Sequence, residues 1–193
     1  MPRREKEPTV AVEPPAGFRV ERGLPVGRYP LLTAFPGLDR LSLAVAVEPD
    51  PDRRALLFEN TLVEIADADL WMYVAPWEIP PQFRGRWRPV VARGTDCIVI
   101  GDTHLKESPA LMLFMDIFHE LCHVRQRHAG ANLWPDGVRY VDRWTEIEAY
   151  RLVVDEARRL GAPPEFLRDY LKVEWISPEE HRELLTTLNV PAK

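Results

Sequence analysis

The strongest constraint on the fold is an uninterrupted helical pattern that follows Ser108. Ser108-Pro109 is a helix start signal, because serine is favoured at the N-cap and proline at the first helical position. Apolar residues then recur at helical spacing, without a breaker, until His128-Ala129-Gly130. The sequence therefore predicts one long helix, against which the rest of the chain must pack.

The C-terminal half of this predicted helix carries the segment FHELCHVRQ, which runs from Phe118 to Gln126. Residues four apart on a helix project from nearly the same face, with Cβ atoms about 5–6 Å apart. The imidazoles of His119 and His123 can therefore reach one metal ion at the usual metal–nitrogen distance of about 2.0–2.1 Å. Glu120 borders the same cleft, where a carboxylate can hold a water molecule. The pattern is H-E-x-x-H, which predicts a zinc site if a third ligand exists.

A catalytic zinc ion needs a third protein ligand, which must come from another element packed against this helix. The candidates are Glu146, Glu148, Asp142, His128, His104 and His181. A second predicted helix ends at Gly161, and on it Glu146 falls on an apolar stripe, whereas Glu148 falls among charged residues. A metal would remove the penalty of burying an unpaired carboxylate. Glu146 is thus the favoured ligand, and the ordinary alternative is a glutamate paired with an arginine such as Arg143.

The motif HELCH followed by EIEAY resembles the gluzincin metallopeptidases, in which a glutamate on the next helix completes the metal site. The second motif is most similar to that of the minigluzincins and the ImmA/IrrE type, and the resemblance covers about residues 96–161. It implies Zn²⁺ as the cofactor and His119, His123 and Glu146 as its ligands. It also implies a zincin-like α+β fold, with a small sheet packed on the long HExxH helix and a helical C-terminal half. The predicted strand CIVIG lies where these families place a strand at the edge of the cleft.

Two functional positions depart from the gluzincin pattern. Gluzincins often carry an aspartate four residues after the ligand glutamate, where it orients a histidine, but this chain has Tyr150 there. That role is filled by Tyr150, is moved to Asp116 one helical turn before His119, or is absent. Tyr140 and Tyr150 are the candidates for a group that stabilises an oxyanion, although a packed aromatic is the simpler interpretation of each.

The N-terminal quarter of the chain is rich in proline, which lacks the N–H that helices and central strands need. Residues 1–52 are therefore interpreted as an N-terminal extension, in which LSLAVAVE is the one good strand candidate. The alternative to a partly ordered arm is a segment that lies over a cleft and blocks or shapes it. Residues 53–193 are interpreted as the zincin-like metallopeptidase domain.

Other elements are predicted from local patterns. Apolar spacing predicts a helix over about residues 53–68, and WMYVAP predicts a strand closed by proline. The segment RPVVARGTDCIVIG predicts a hairpin. After Gly161, a helix is predicted at about residues 165–171, and a capping-box pattern predicts another from Ser177. His104 is expected in a loop near the mouth of the cleft.

Composition and charge limit the partners and the compartment. The chain has 193 residues, which suffices for one domain with a core. Its net charge is −5 with acidic and basic residues intermixed, which argues against nucleic acid as a partner. No apolar run is long enough to span a membrane. The basic residues near the N-terminus are not followed by the apolar run that a signal peptide requires. With Cys97 and Cys122 too few for a disulfide framework, we expect a cytoplasmic protein without a membrane partner.

These patterns predict an enzyme, a zinc metallopeptidase acting on a peptide or protein substrate. Peptide bonds would be hydrolysed by a metal-activated water with Glu120 as general base. The alternative is a zinc-stabilised regulatory or protein-interaction domain without catalysis, which a protein side chain in the fourth coordination position would favour. A metal-free helical protein requires His119, His123 and Glu146 to lie far apart or to be satisfied by other groups.

Overall fold

The computed structural model describes residues 12–38, 70–76, 90–91 and 97–193. Within them, four strands form one mixed sheet in the order β1-β2-β4-β3. The strands are β1 (Gly27–Pro30), β2 (Trp71–Ala75), β3 (Val90–Val91) and β4 (Cys97–Gly101). The predicted strand LSLAVAVE and the helix predicted over residues 53–68 lie outside the described residues.

The sheet combines both kinds of strand pairing. β1 runs antiparallel to β2, β2 runs parallel to β4, and β3 runs antiparallel to β4. The strand predicted at WMYVAP is confirmed as β2, which ends before Pro76, and the two arms of the predicted hairpin are confirmed as β3 and β4. On β4, Ile98 and Ile100 are fully buried, which places one face of the strand on the core.

The helices confirm the α+β class and the predicted helical C-terminal half. They are α1 (Leu31–Ala34), α2 (Asp102–Glu107), α3 (Ala110–His128), α4 (Trp144–Arg159), α5 (Pro164–Leu171) and α6 (Pro178–Thr187), with a 3₁₀ turn at Tyr140–Asp142 before α4. At α6 the predicted capping box is present, because Ser177 and Glu180 exchange side-chain-to-backbone hydrogen bonds. Among the described residues, no helix is long and apolar enough to cross a membrane.

The long helix α3 is the centre of the molecule. Fourteen of its 19 residues are buried, which identifies it as a helix enclosed by the sheet and by its helical neighbours. Its start differs from the prediction, because Pro109 rather than Ser108 is the N-cap residue and makes no side-chain cap. The Ser108 hydroxyl is hydrogen-bonded instead to His104 Nδ1 at 2.9 Å.

The described part of the proline-rich region contributes to the same core. Phe18 stacks on Phe35 with ring centroids 5.8 Å apart, and it meets Phe114 of α3 edge-on at 5.2 Å. Phe18 and Phe35 are both buried. An aromatic cluster that joins the N-terminal segment to the central helix contributes strongly to core packing.

A second contact fixes this segment to α2. The guanidinium of Arg22 donates to the carbonyl oxygens of Leu105 and Lys106, at 2.9 and 3.0 Å, in the last turn of that helix. Residues 12–38 therefore pack as part of the folded unit rather than as a loose arm. The boundary predicted between residues 52 and 53 lies outside the described residues.

Candidate metal centre

The predicted site residues come together where α3 and α4 pack side by side. α3 carries His119, Glu120 and His123, and α4 carries Glu146 in its first turn. All four side chains are buried, with between 5% and 9% of their surface exposed. One potential ligand atom from each of His119, Glu120 and His123 lies within 4.8 Å of the other two.

The carboxylate of Glu146 completes this arrangement. Its Oε2 lies 3.3 Å from His119 Nε2 and 3.5 Å from His123 Nε2. When ligands bind an ion tetrahedrally at about 2.0–2.1 Å, neighbouring ligand atoms lie about 3.3–3.4 Å apart. The two distances match such tetrahedral edges and exceed the usual N–H···O length of about 2.7–3.2 Å. Glu146 Oε2 therefore lies, relative to each imidazole nitrogen, at the distance that a shared metal ion would require.

Two carboxylates approach the histidine pair, and they differ in suitability as a ligand. Glu146 Oε2 is buried and lacks a hydrogen-bond partner among the described residues, so an ion there would satisfy it. Glu120 follows His119 directly and is offset by about 100° around α3, and one of its carboxylate oxygens lies within 4.8 Å of a ring nitrogen of each histidine. Glu146 fits the ligand role, and Glu120 fits the place of a group that holds water beside an ion.

The charges of the cluster are strongly coupled. Burial alone would raise the pKa of Glu146, but the imidazoles of His119 and His123 hold that pKa well below its ordinary value. Burial opposes the charged form of His123, yet Glu146 and Glu120 outweigh it and raise its pKa to about 9. Burial, assisted by the charge of His123, lowers the pKa of His119. Without a metal, Glu146 therefore faces a protonated His123, and metal binding must displace that proton.

Gln126 fixes the orientation of His123, a role that the sequence analysis missed. The Gln126 Nε2 group donates to the Thr145 carbonyl at 2.9 Å and to Glu148 Oε2 at 2.8 Å. Its Oε1 is thus directed at His123 Nδ1, 2.9 Å away, and accepts a hydrogen bond from that nitrogen. The tautomer with the proton on Nδ1 leaves the Nε2 lone pair free for a metal. The available signal was the position of Gln126 three residues after His123, on the same helix face.

The hydrogen bonds of this region also bear on two alternatives that the sequence left open, Glu148 as the third ligand and an ion pair between Glu146 and Arg143. Glu148 is not directed at the histidines but accepts the hydrogen bond from Gln126. Arg143 directs its guanidinium to the Val138 carbonyl at 3.4 Å. Glu146 has no arginine in ion-pair contact among the described residues, so the alternative of a structural Glu146–Arg143 pair is wrong.

The sequence left open whether Asp116 or Tyr150 orients the ligand histidine His119, and the structure places the two residues differently. Asp116 Oδ2 lies 2.8 Å from His104 Nε2, so Asp116 is hydrogen-bonded to His104 rather than to His119. The ring of Tyr150 lies against the ring of His119, with centroids 4.4 Å apart. His119 Nδ1 is buried and has no hydrogen-bond partner within the described part of the chain.

His104 does not lie in a loop, as the sequence analysis expected, but on α2. It is buried between Asp116 and the Ser108 hydroxyl, and both ring nitrogens are hydrogen-bonded. The loop expectation was wrong because Asp102 follows β4 directly and begins a short helix there. A histidine with both nitrogens engaged is not available as a third ligand.

The remaining candidate ligands lie in other contacts. Asp142 is half exposed and forms an ion pair with Arg139, at 2.7 Å. His181 Nε2 is 3.1 Å from the Arg168 carbonyl oxygen, which accepts its hydrogen bond. His128 is exposed at the last position of α3. Glu146 is therefore the one candidate among them that the structure brings to the histidine pair.

Two tryptophans of the C-terminal half are exposed. Trp144, the first residue of α4, is 55% exposed, and Trp175 is 56% exposed. Trp175 meets the ring of Tyr140 edge-on at 5.6 Å and lines a cavity of about 210 Å³, to which His104 and Met112 also contribute. The cavity offers room for a side chain of a bound molecule.

Comparison of the chain with known proteins finds no matching protein-family model, no matching curated protein and no matching solved structure. The functional inference therefore depends on the geometry of this site.

Proposed function

We propose that the chain is a zinc-dependent metallopeptidase, a hydrolase of the gluzincin type with zincin-like packing of α3 against α4. His119, His123 and Glu146 hold the zinc ion, and Glu120 is the general base. One observation carries the proposal. Glu146 Oε2, supplied by a different helix, lies at tetrahedral-edge distance from both imidazole Nε2 atoms, 3.3 and 3.5 Å.

The side chains of the site have different roles in the proposed hydrolysis. A zinc ion, when bound, supplies Lewis acidity, which polarises a carbonyl and lowers the pKa of water toward 7. Three protein ligands leave the fourth position open to water or substrate. Glu120 accepts the proton of the attacking water and passes it to the leaving amine. Gln126 keeps the His123 tautomer that a ligand needs, through the 2.9 Å contact at Nδ1.

The substrate we propose is a peptide or protein, and the compartment is the cytoplasm. Cys97 and Cys122 form no disulfide with each other, which agrees with a reducing compartment.

Metal content and peptide hydrolysis, measured on the same preparations, test the proposal. The wild type, His123→Ala, Glu146→Ala and Glu120→Gln are compared by elemental mass spectrometry and with a peptide library. We expect about one zinc per chain in the wild type and in Glu120→Gln, and none in the two ligand variants. Only the wild type should hydrolyse peptides. Glu107→Gln, the same chemical change at an exposed position of α2, is the matched control and should behave like the wild type.

The other outcomes separate the alternatives. Zinc bound by the wild type, with no hydrolysis of any library peptide, supports the non-catalytic regulatory or interaction domain. Full activity of Glu120→Gln removes Glu120 from the mechanism. A wild type that holds no zinc even after reconstitution contradicts the metal site itself.

A further inference from the structure

The two proposed histidine ligands are oriented in different ways. His123 is held by the hydrogen bond from its Nδ1 to Gln126. His119 has no such partner on Nδ1 among the described residues, although its side chain is buried. A buried ligand ring whose Nδ1 has no hydrogen bond must be oriented by packing. Two rings contact it, that of the other histidine, His123, at 4.6 Å between centroids and that of Tyr150 on α4 at 4.4 Å.

Tyr150 is itself fixed through its hydroxyl. This residue lies one turn after Glu146 on α4, so both side chains project toward α3. The Tyr150 hydroxyl shares a hydrogen bond of 2.8 Å with the Tyr140 hydroxyl. Tyr170 packs edge-on against the Tyr150 ring at 6.3 Å. The ring that contacts His119 is therefore held both at its face and at its polar end.

Tyr140 approaches the cluster from the 3₁₀ turn that precedes α4. Trp175 packs edge-on against its ring at 5.6 Å, and the guanidinium of Arg143 lies 5.8 Å from its ring centroid. These two contacts hold the Tyr140 ring, and with it the hydroxyl that is hydrogen-bonded to Tyr150.

We propose that Tyr140 and Tyr150 are a positioning pair for the metal ligand His119. The hydrogen bond between the two hydroxyls anchors the Tyr150 ring, and that ring sets the orientation of His119. The pair would fix the histidine ligand that Gln126 does not reach. This inference rests on the metal site of the proposed function but not on peptide hydrolysis.

Deletion of single hydroxyl groups tests the pair without removing any ring contact. Tyr140→Phe and Tyr150→Phe are compared with Tyr29→Phe, whose lost hydroxyl bonds to the Pro25 carbonyl near β1, away from α3 and α4. Zinc affinity is measured by competition with a chelator, and the cobalt-substituted proteins are compared by visible absorption. Tyr140→Phe and Tyr150→Phe each remove the hydrogen bond between the two hydroxyls, so we expect each to weaken zinc binding about 10–100-fold and to shift the cobalt bands. Tyr29→Phe should have no effect.

Thermal unfolding of the metal-free variants separates positioning from a merely structural role. If Tyr140→Phe unfolds at a lower temperature but keeps the wild-type cobalt spectrum and zinc affinity, the positioning role is wrong. The same conclusion follows if the wild type binds neither zinc nor cobalt. If the metal binds, the spectrum shifts in Tyr140→Phe and no peptide is cleaved, then the positioning pair stands and the peptidase proposal fails.

Discussion

Gln126 offers the sharpest test of how the site is held together. It makes three hydrogen bonds, to His123 Nδ1, the Thr145 carbonyl and Glu148, at 2.9, 2.9 and 2.8 Å. Gln126→Leu preserves the approximate volume but removes all three. At about 1 kcal/mol for each bond, we expect the free energy of unfolding of the metal-free protein to fall by about 3 kcal/mol. Zinc affinity should fall about 10–100-fold, since His123 loses the acceptor that fixes its tautomer.

Gln126→Glu separates these two effects. A carboxylate still accepts the hydrogen bond from His123 Nδ1, so zinc affinity should stay within a few-fold of the wild type. The carboxylate cannot donate to Thr145, and it repels Glu148, so stability should fall about as far as in the leucine variant. Urea unfolding with a chelator present gives the stability, and competition titration gives the affinity. Equal zinc affinity in the wild type and in Gln126→Leu would refute the orienting role.

Three further predictions concern stability. In metal-free protein, Glu146→Gln should lower the free energy of unfolding near pH 6, because Glu146 is the main group that raises the His123 pKa from 6.5 to about 9. At about 1.4 kcal/mol per pKa unit the full shift is equivalent to about 3 kcal/mol, and since Glu120 contributes part of it, the loss should be below that amount. The stabilisation that the raised His123 pKa provides is complete below 6.5, the pKa in the unfolded chain, and it is lost as pH rises through about 9, the pKa in the folded protein. Urea unfolding of the wild type and Glu146→Gln should therefore give a larger stability difference near pH 6 than near pH 10, and an equal difference at the two pH values would contradict the prediction. Asp116→Ala should lower stability by about 2–3 kcal/mol through the lost bond to His104, with chelator competition showing near wild-type zinc affinity. Phe18→Ala should lower stability by about 3–5 kcal/mol in urea unfolding, and a loss below about 1 kcal/mol would indicate a loose N-terminal arm.

Proline content was a poor guide to the N-terminal region. A high proline content indicates missing backbone N–H donors and fixed φ angles, but it does not indicate whether the side chains nearby are buried. Residues 12–38 show the difference, because Phe18 and Phe35 enter the core from a segment with little regular structure. Their partner Phe114 is distant in the sequence, and no local pattern could have identified that contact.

The sequence by itself determined the parts of this protein that depend on neighbouring residues. Helical periodicity and start and stop signals predicted α3 and α4, and the four-residue spacing put His119 and His123 on one face. The apolar stripe on α4 separated Glu146 from Glu148, because a helix buries one continuous face whatever its partner is. These are interactions over one or two turns, which the local sequence encodes.

Only the tertiary structure decided how close the two helices come and what surrounds the cluster. The 3.3 and 3.5 Å distances from Glu146 to the imidazoles depend on the packing of α3 against α4. The orientation of His123 by Gln126 depends on acceptors at Thr145 and Glu148 of the other helix. The contact of Tyr150 with His119 likewise joins the two helices. Such contacts depend on relative helix position to a fraction of an ångström, and that position results from close packing of the whole core rather than from any local pattern.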